Sequence, residues 1–267
     1  QLASLGYIPE KLFEAMDYSL SAGGKRLRPV LLLAACDALG GDLNDALPFA
    51  CALEMIHTYS LIHDDLPAMD NDDLRRGLPT NHKVYGEANA LLAGDGLLTL
   101  AFETVLSADV DSVKKAKAAL ELARAAGVSG MIGGQVMDLA NEEKKASLDE
   151  VITTEKLKTG ALIKVAATMG CIAAGATDEQ INAAQVYCEN IGLAFQIVDD
   201  ILDVIADPAV LGKNVGSDAS ENKTTFMSFM TVDEARQYAA RLTAEAKDEL
   251  ACFEHAELLY ALADYLL

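Results

Sequence analysis

The feature that most constrains the fold is an acidic stretch, His63 to Gly77, which places five aspartates within ten residues and then two arginines. Carboxylates at this density repel one another and raise each other's pKa unless a cation lies between them. Magnesium takes hard oxygen ligands, usually one or two protein carboxylates together with substrate phosphates. The stretch therefore predicts a magnesium site, and the arginines predict a phosphate-bearing ligand.

A second acidic stretch, Phe195 to Asp203, repeats an Asp-Asp-x-x-Asp pattern inside an apolar helical run. Asp199 and Asp203 are four residues apart, so they share one face of a helix. We therefore expect this stretch to present a line of carboxylates toward a common cavity.

In the first acidic stretch, the helix must be interrupted before its aspartates can share one face. Asp64 and Asp70 are six residues apart, which on an unbroken helix would leave them about 120° out of line. If Pro67 disrupts the helix and two residues loop out, Asp70 returns to the face of Asp64. The sequence then predicts two acidic faces opposed across a cavity, with magnesium and a diphosphate between them.

The rest of the chain has a helical pattern almost throughout. Only six prolines occur in 267 residues, 51% of the residues are apolar, and the apolar positions recur at intervals of three and four. We find no linker, tandem repeat or strand-like alternation. The sequence predicts an all-α fold, a single-domain bundle of about ten helices around a central cavity over residues 1–267. The predicted helices are Pro9 to Ser21, Lys25 to Leu39, Asn44 to Leu66, Glu87 to Leu106, Val113 to Ala126, Val128 to Leu139, Leu148 to Ala174, Asp178 to Ile205, Val232 to Ala251 and Glu257 to Leu266.

Charge and composition limit the partners. The formal net charge of -20 argues against a nucleic acid, whose phosphates would be repelled. The five cysteines have no C-x-x-C spacing, which is typical of buried thiols in a reducing compartment. No apolar run of membrane-spanning length and no signal peptide were found, so we expect a cytoplasmic protein without stable membrane insertion.

A basic stretch, Gly23 to Pro29, is the first candidate anion site. Two glycines let the backbone approach an anion, and the helix that follows would point its free N–H groups toward it. Lys25 and Arg28, three residues apart, would then bind a diphosphate. Taken alone, the stretch is more typical of an ordinary glycine-rich helix start bearing solvated basic side chains.

Together these stretches resemble the short-chain trans-isoprenyl diphosphate synthases, most closely the bacterial type of farnesyl diphosphate synthase. The resemblance covers nearly the whole chain, and six motifs in the same order make it very specific. The motifs are Gly23 to Pro29, Asp64 to Gly77, Gly134 to Asp138, Lys158 to Gly160, Phe195 to Asp203, and the pair Lys213 and Lys223.

The resemblance implies an enzyme that condenses isopentenyl diphosphate with an allylic diphosphate, acts as a homodimer and uses magnesium, as three ions with substrate bound, with manganese as a possible substitute. It implies these substrate-binding residues: Gly24, Lys25, Arg28, His57, Arg75, Arg76, Phe195, Lys213 and Lys223. It implies these metal ligands: Asp64, Asp65, Asp70, Asp138, Asp199, Asp200 and Asp203. The catalytic residues would be Asp64, Asp70, Asp199, Lys158, Thr159 and Gln196.

The stretch Lys158-Thr159-Gly160 would interrupt a helix, which predicts a kink with a free carbonyl. By resemblance, this carbonyl, the Thr159 hydroxyl and the Gln196 amide would steady an allylic cation, formed when magnesium makes the diphosphate a leaving group. The departing diphosphate would take the proton. Gln135 and Asp138 share a helix face, and we expect them to hydrogen-bond around the metal and lysine cluster.

Product length is predicted from the residues before the first motif. Tyr59 lies five residues before Asp64, roughly 7.5 Å along a helix axis, where its ring would close the space for the growing hydrocarbon tail. Ser60 beside it is small, so the floor depends on one ring. In the family, an aromatic residue here and a two-residue insertion around Pro67 characterise bacterial farnesyl synthases. The sequence therefore predicts a fifteen-carbon product.

Four other classes were weighed. A geranylgeranyl diphosphate synthase would share every motif and differ at the tunnel floor. A non-catalytic subunit of a heteromeric prenyltransferase would tend to lose aspartates or basic residues that are intact here. A terpene cyclase would not need Lys25 and Arg28 for a second diphosphate. A calcium-binding loop is disfavoured because Leu74 and Arg75 fall where its ligands belong.

Overall fold

The computed structural model describes residues 7–142, 145–205 and 224–266, and these residues form a helical bundle. The longer helices are α1 (Glu10–Ser21), α2 (Leu27–Asp37), α3 (Leu43–Asp64), α5 (Glu87–Ser107), α6 (Ser112–Ala126), α7 (Met131–Glu142), α8 (Leu148–Glu155), α9 (Ala161–Ala174), α10 (Asp178–Ile205), α11 (Val232–Asp248) and α12 (Glu257–Tyr265). Since α8 and α9 are joined by a π-helical turn, Lys156–Gly160, into one continuous path, the prediction of about ten helices in an all-α bundle is confirmed.

Local sequence signals explain where several helices begin. Ser147 caps α8 through a reciprocal capping box with Glu150, and Thr231 caps α11 in the same way with Glu234. Asp42 begins α3 by accepting a hydrogen bond from the backbone N–H of Asn44. These caps satisfy backbone donors that the first helical turn leaves unpaired.

The core is centred on α3 and α9. Helix α3 packs against α5, α2 and α9, and α9 also packs against α2, α6 and α10. Small residues allow the closest approach: a Cβ atom added at Gly170 in α9 would lie 2.2 Å from the Leu32 carbonyl oxygen of α2. A second apolar cluster joins α10 to α11 around Ile197 and Phe226. The carboxyl-terminal halves of α3 and α10, which carry the acidic stretches, are therefore fixed by packing.

Two parts of the bundle are long and apolar enough, by length and composition, to cross a membrane: Glu87–Ser107 and Leu148–Ala174. The sequence analysis did not identify them as such. In the structure, 44% and 67% of the respective apolar windows are buried inside the bundle. Packing against other helices thus accounts for much of their apolar character.

The structure differs from the sequence prediction in one predicted loop. No helix or strand was predicted between Leu66 and Glu87, but Leu74–Arg75 (β1) and Leu78–Pro79 (β2) form a short antiparallel hairpin, and Asn81–Tyr85 forms a short helix, α4. Strands of two residues are too short to show an alternating pattern. The hairpin matters because it carries Arg75 back toward the end of α3.

Candidate active site

The first acidic stretch begins where α3 ends, at Asp64. The backbone N–H of Asp70 donates to the Asp64 carbonyl oxygen at 2.9 Å, six residues back along the chain instead of the usual four. Two residues are thus looped out around Pro67, as predicted. Asp70 comes directly beside Asp64, and the turn places two carboxylates next to each other at the helix end.

The carboxylates of Asp64, Asp65 and Asp72 in this stretch have polar partners. Gln135 of α7 donates its side-chain amide to Asp64 at 2.6 Å. Arg75 donates through Nε and Nη2 to one oxygen of Asp65, with the Nε bond at 2.8 Å, and through Nη2 to Asp72 at 2.9 Å. The carboxylate of Asp65 is buried and gives one oxygen to Arg75, so its other oxygen is the one left for its predicted role as a metal ligand.

Burial and crowding change the acidity of these groups. The pKa of Asp64 is raised to about 6, chiefly by burial; the charge of Lys158 opposes the shift and the charge of Asp70 contributes to it. Burial also raises the pKa of Asp65, against the effect of its hydrogen bonds with Arg75. An added cation beside Asp64 would therefore be strongly attracted.

The second acidic stretch lies on unbroken helix near the end of α10. Asp199 and Asp200 are half-buried and Asp203 is buried. Asp200 accepts a hydrogen bond from the backbone N–H of Phe226 at 2.8 Å, which attaches the segment before α11 to this motif. The predicted roles of these three aspartates as metal ligands stay predictions.

The carboxylates of the first acidic stretch fit a magnesium ion whose coordination sphere is completed by oxygen atoms of a bound ligand. Within residues 7–142, 145–205 and 224–266, no three or more histidine, cysteine, aspartate or glutamate side chains are arranged to hold a metal ion. Adjacent hard carboxylates such as Asp64 and Asp70 match the one or two protein ligands that magnesium usually takes when phosphate oxygens supply others. These residues would thus bind the ion together with a diphosphate.

Helix α7 and the π-helical turn connect the two motifs. Asp138 of α7 and Lys158 of the turn form an ion pair at 2.5 Å. A Cβ atom at Gly134 would lie 2.2 Å from the backbone nitrogen of Lys158, so only glycine allows the two helices to approach this closely. Burial alone would lower the pKa of Lys158, but Asp138 and Asp64 raise it overall. The predicted hydrogen bonding of Gln135 and Asp138 around the lysine is confirmed, and the predicted kink is a π-helical turn.

Glu155, the last residue of α8, was not identified from the sequence. Its carboxylate accepts a hydrogen bond from the Gln196 side-chain amide at 2.8 Å, and the nearby Thr159 side chain lowers the pKa of this carboxyl by hydrogen bonding. Burial raises the pKa of Glu155 to about 7, with Asp138 adding to the shift and Lys158 opposing it. The only sequence signal is its place four residues before Thr159, on the same helix face.

A basic cluster forms where the hairpin meets the start of α2. Arg28 Nη1 lies 3.4 Å from His57 Nε2 of α3, and Arg76 donates to the Gly23 carbonyl oxygen. A Cβ atom at Gly24 would lie 2.6 Å from Arg76 Cζ, so glycine is required for this contact. The structure thus brings together Gly24, Arg28, His57 and Arg76, which the sequence predicted to share a site.

The cluster concentrates positive charge in a buried setting. Burial lowers the pKa of Arg28 to about 10, with Glu54 opposing the shift and Arg76 adding to it. Burial, Arg28 and Arg76 hold the pKa of His57 well below its usual value. The Arg28 Nε atom is buried and has no hydrogen-bond partner in the described parts of the chain. An anion bound here would satisfy that donor and relieve the repulsion.

Two further contacts shape the basic stretch. Arg26, which has a left-handed backbone conformation (φ 50°), forms an ion pair with Glu54 of α3 at 2.5 Å. This pair was not predicted, and it ties the loop to α3. The Lys25 ammonium lies 5.4 Å from the ring centroid of Phe195 in α10, a cation–π arrangement that directs Lys25 toward the second acidic helix.

Tyr59 is buried in α3, with 5% of its surface exposed, and its hydroxyl has no hydrogen-bond partner in the described residues. Its ring meets that of His63 edge to face at 5.7 Å. His63 Nε2 lies 3.0 Å from the Leu91 carbonyl oxygen of α5. A Cβ atom at Gly94 of α5 would lie 2.1 Å from His63 Nε2. The hydroxyl of Ser60 turns back to the His57 carbonyl.

Two of the predicted binding residues, Lys213 and Lys223, lie outside the described residues. A cleft of about 460 Å³ between α6, α9 and α10 contains neither acidic motif, although Glu155 is part of its wall. This cleft therefore does not correspond to the cavity predicted between the two acidic faces.

Comparison with known proteins identifies the family. The polyprenyl synthetase family model matches residues 9–262. The chain is 48% identical over 267 aligned residues to the chloroplastic large subunit 1 of a heterodimeric geranylgeranyl pyrophosphate synthase from Arabidopsis thaliana, covering 97% of this chain and 72% of that protein. It is 49% identical over 266 residues to a dimethylallyltranstransferase from Fischerella ambigua (strain UTEX 1903), covering 98% and 77%.

The fold comparison agrees. The crystal structure of an FPP/GFPP synthase from Zymomonas mobilis superposes with a TM-score of 0.88 at 38% identity, covering 99% of this chain and 92% of that one. The chain belongs to the polyprenyl synthetase family. It is a prenyltransferase of the trans-prenyl synthase type, and substrates in this family are isoprenoid diphosphates.

Proposed function

We propose that this protein condenses isopentenyl diphosphate head to tail with dimethylallyl or geranyl diphosphate and stops at farnesyl diphosphate. The observation that carries the product length is the buried ring of Tyr59, one and a half helical turns before Asp64. The family supports the condensation, and the side chains described above supply its two binding regions.

The acidic region and the π-helical turn would bind the allylic diphosphate. Asp64, Asp70 and Asp199 would hold magnesium, with Asp65, Asp138, Asp200 and Asp203 as the further predicted ligands. When bound, magnesium neutralises the diphosphate charge and so makes it a better leaving group. Arg75 and Lys158, both paired with carboxylates in the structure, would add hydrogen bonds to the same diphosphate.

The basic region would bind isopentenyl diphosphate. Within the described residues the buried Nε donor of Arg28 has no partner, and Arg28 lies beside His57 and Arg76, so a bound anion would gain both charge attraction and hydrogen bonds there. Lys25 would close over the same substrate from the loop. This arrangement holds the double bond of one substrate near the allylic carbon of the other, while the departing diphosphate removes the proton after the new bond forms.

Tyr59 limits the product because its ring is packed and cannot easily move. His63 lies against the ring edge, and α5 holds His63 through Leu91. A tail that extends beneath Asp64 would meet this ring after a few carbon atoms. The Tyr59 hydroxyl is buried without a hydrogen-bond partner in the described residues, which costs free energy. This cost supports a functional role for the bulk of the ring.

The second candidate product is geranylgeranyl diphosphate. Several similar proteins carry that name, including one from Cyanophora paradoxa that is 47% identical over 262 residues. For that product, the hydrocarbon tail would have to pass Tyr59. Both candidates use the same acidic and basic regions, so only the length of the product separates them.

We further propose that the protein acts as a homodimer. Helix α7 exposes a stripe of apolar side chains at helical spacing: Ile132, Val136 and Leu139. Their exposure to water is unfavourable, and a second copy of the chain would bury them. The heterodimeric name of the Arabidopsis relative makes a different partner subunit the alternative. Light scattering of the purified chain decides between a dimer and a monomer that needs another subunit.

The test of product length is an assay with magnesium, isopentenyl diphosphate, and dimethylallyl or geranyl diphosphate offered separately. We expect farnesol from both primers after dephosphorylation. Tyr59→Ala is expected to shift the main product to twenty carbons or more. Tyr59→Phe is the matched control, because it keeps the ring and removes only the hydroxyl, and it should still yield farnesol. Geranylgeraniol from the unmodified protein would refute the farnesyl assignment.

A further inference from the structure

Glu155 controls which way the Gln196 amide points. Gln196 Nε2 donates to Glu155 Oε2 at 2.8 Å. In its ionised form, which dominates above its pKa of about 7, the carboxylate accepts hydrogen bonds and donates none, so it fixes the NH₂ end of the amide toward itself. The carbonyl end of Gln196 must then point elsewhere. Sequence and fold alone would leave this amide free to adopt either orientation.

The same carboxylate also occupies the hydroxyl of Thr159. The Thr159 side chain lies close enough to lower the pKa of Glu155 by hydrogen bonding, and an ionised carboxylate can only accept the hydroxyl proton. The Thr159 oxygen keeps its lone pairs for other neighbours. Glu155 thus takes the donors of both groups and leaves both of their oxygens available as negative ends of dipoles.

Neighbouring contacts keep these groups close to the acidic motif. Lys158, which precedes Thr159, is paired with Asp138 and contributes to the charge around Asp64. Gln196 lies on α10, one helical turn before Asp199 and Asp200. Glu155 therefore joins the π-helical turn to α10 about one helical turn before the second acidic motif.

We propose that Glu155 is a positioning residue for prenyl transfer: it orients the Gln196 amide and the Thr159 hydroxyl so that their oxygen atoms stabilise positive charge on the allylic substrate. The proposal rests on the proposed condensation and is independent of product length. A carboxylate placed in a buried setting is costly, and such groups concentrate at functional sites. The raised pKa of Glu155 shows that this cost is present here.

Two substitutions separate this role from helix packing. Glu155→Leu removes the acceptor, and we expect kcat to fall about 100-fold because the amide and hydroxyl lose their fixed orientation. Glu155→Gln retains one acceptor but adds a donor, and we expect about a 10-fold fall. KM for both diphosphates should stay within about twofold of the value for the unmodified protein, because neither Glu155 nor Gln196 is proposed to bind a phosphate. Glu189→Gln is the matched control, a carboxylate in the wall of the same cleft that pairs with Lys164, and it should retain normal kcat.

A double-mutant cycle tests whether Glu155 acts through its partner. In a Gln196→Leu background, Glu155→Leu should cost far less in kcat than it does alone, because the amide to be oriented is gone. Additive losses in kcat would overturn the proposal. So would unchanged kcat in both Glu155 variants of an otherwise active enzyme, or losses confined to KM.

A binding measurement provides a readout without turnover. Calorimetry would compare an ammonium analogue of the allylic cation with its neutral carbon counterpart, each with inorganic pyrophosphate and magnesium. We expect the unmodified protein to prefer the cation, and Glu155→Leu to reduce that preference about tenfold. An unchanged preference would overturn the inference even if no prenyl product were found. Absence of product from the unmodified protein would instead refute the proposed function.

Discussion

The acidic and basic regions of the site concentrate charges of opposite sign, and their pKa values are shifted in opposite directions. Burial and like charges raise the pKa of Asp64 to about 6, while burial and like charges lower the pKa of Arg28 to about 10. In both regions the charged form is disfavoured. A cation would therefore be stabilised in one region, and an anion in the other.

The two regions differ in how far the protein neutralises them itself. In the acidic region, Arg75 and Lys158 are paired with carboxylates and Gln135 donates to Asp64. In the basic region, the carboxylate of Glu54 pairs with Arg26, whereas Arg28 keeps a buried donor without a partner in the described residues. Protein contacts therefore already order the side chains of the acidic region, whereas in the basic region a bound anion would supply more of the neutralising charge.

The largest expected effect is in the acidic region. Asp64→Ala or Asp199→Ala should lower kcat about 1000-fold or more at saturating magnesium, because the charge that develops on the leaving diphosphate loses its counter-ion. Steady-state kinetics measures the loss. Asp73→Asn is the control: this exposed side chain pairs with Lys83, so activity should stay within about threefold. Normal turnover in the Asp64 and Asp199 variants would refute the magnesium assignment.

Arg28→Ala should act on the other substrate. Loss of a buried charged donor is expected to raise KM for isopentenyl diphosphate about 100-fold and leave KM for the allylic diphosphate within about threefold. Initial rates at varied concentrations of each substrate measure this separation. A comparable rise in both KM values would show that the regions do not bind different diphosphates. Arg124→Ala, on the surface of α6, is the control and should change neither value.

Inorganic pyrophosphate without a metal tests the difference in neutralisation. In the presence of a metal chelator, pyrophosphate at about 100 times its Kd should raise the melting temperature of the protein by several degrees, because it binds the basic region only in the folded state. Arg28→Ala should abolish the increase, whereas Asp64→Ala should retain it. Thermal unfolding measures both variants. An increase that survives in Arg28→Ala would place the anion elsewhere.

The smallest effect concerns stability and pH at Glu155. Its folded pKa, about 7, lies above its ordinary value of 4.5, so the folded state binds the proton more tightly than the unfolded state. The free energy of unfolding therefore falls as pH rises from about 4.5 to about 7. Glu155→Gln should remove that contribution and be more stable at pH 8, on the order of 2 kcal/mol. Denaturant unfolding at pH 5 and pH 8 checks this, and equal differences at both pH values would contradict it.

The sequence predicted features that depend on local spacing. The spacing of Asp64 and Asp70 around Pro67 predicted the looped-out turn, and the stretch Lys158 to Gly160 predicted an irregular helix. Long-range contacts were harder to predict. Glu155 acquires its role only because α8 meets α10, and the pairing of Asp65 with Arg75 depends on a hairpin of two-residue strands. Such contacts leave no periodic pattern in the sequence.

The absence of a side chain at Gly94 has a consequence for evolution and engineering. A single methyl group there would collide with His63, and His63 lies against the ring of Tyr59. The space beneath Asp64 is thus set by how closely α3 and α5 approach, as well as by the residue at position 59. A substitution on a neighbouring helix that never touches the hydrocarbon tail would be sufficient to change the length of the product.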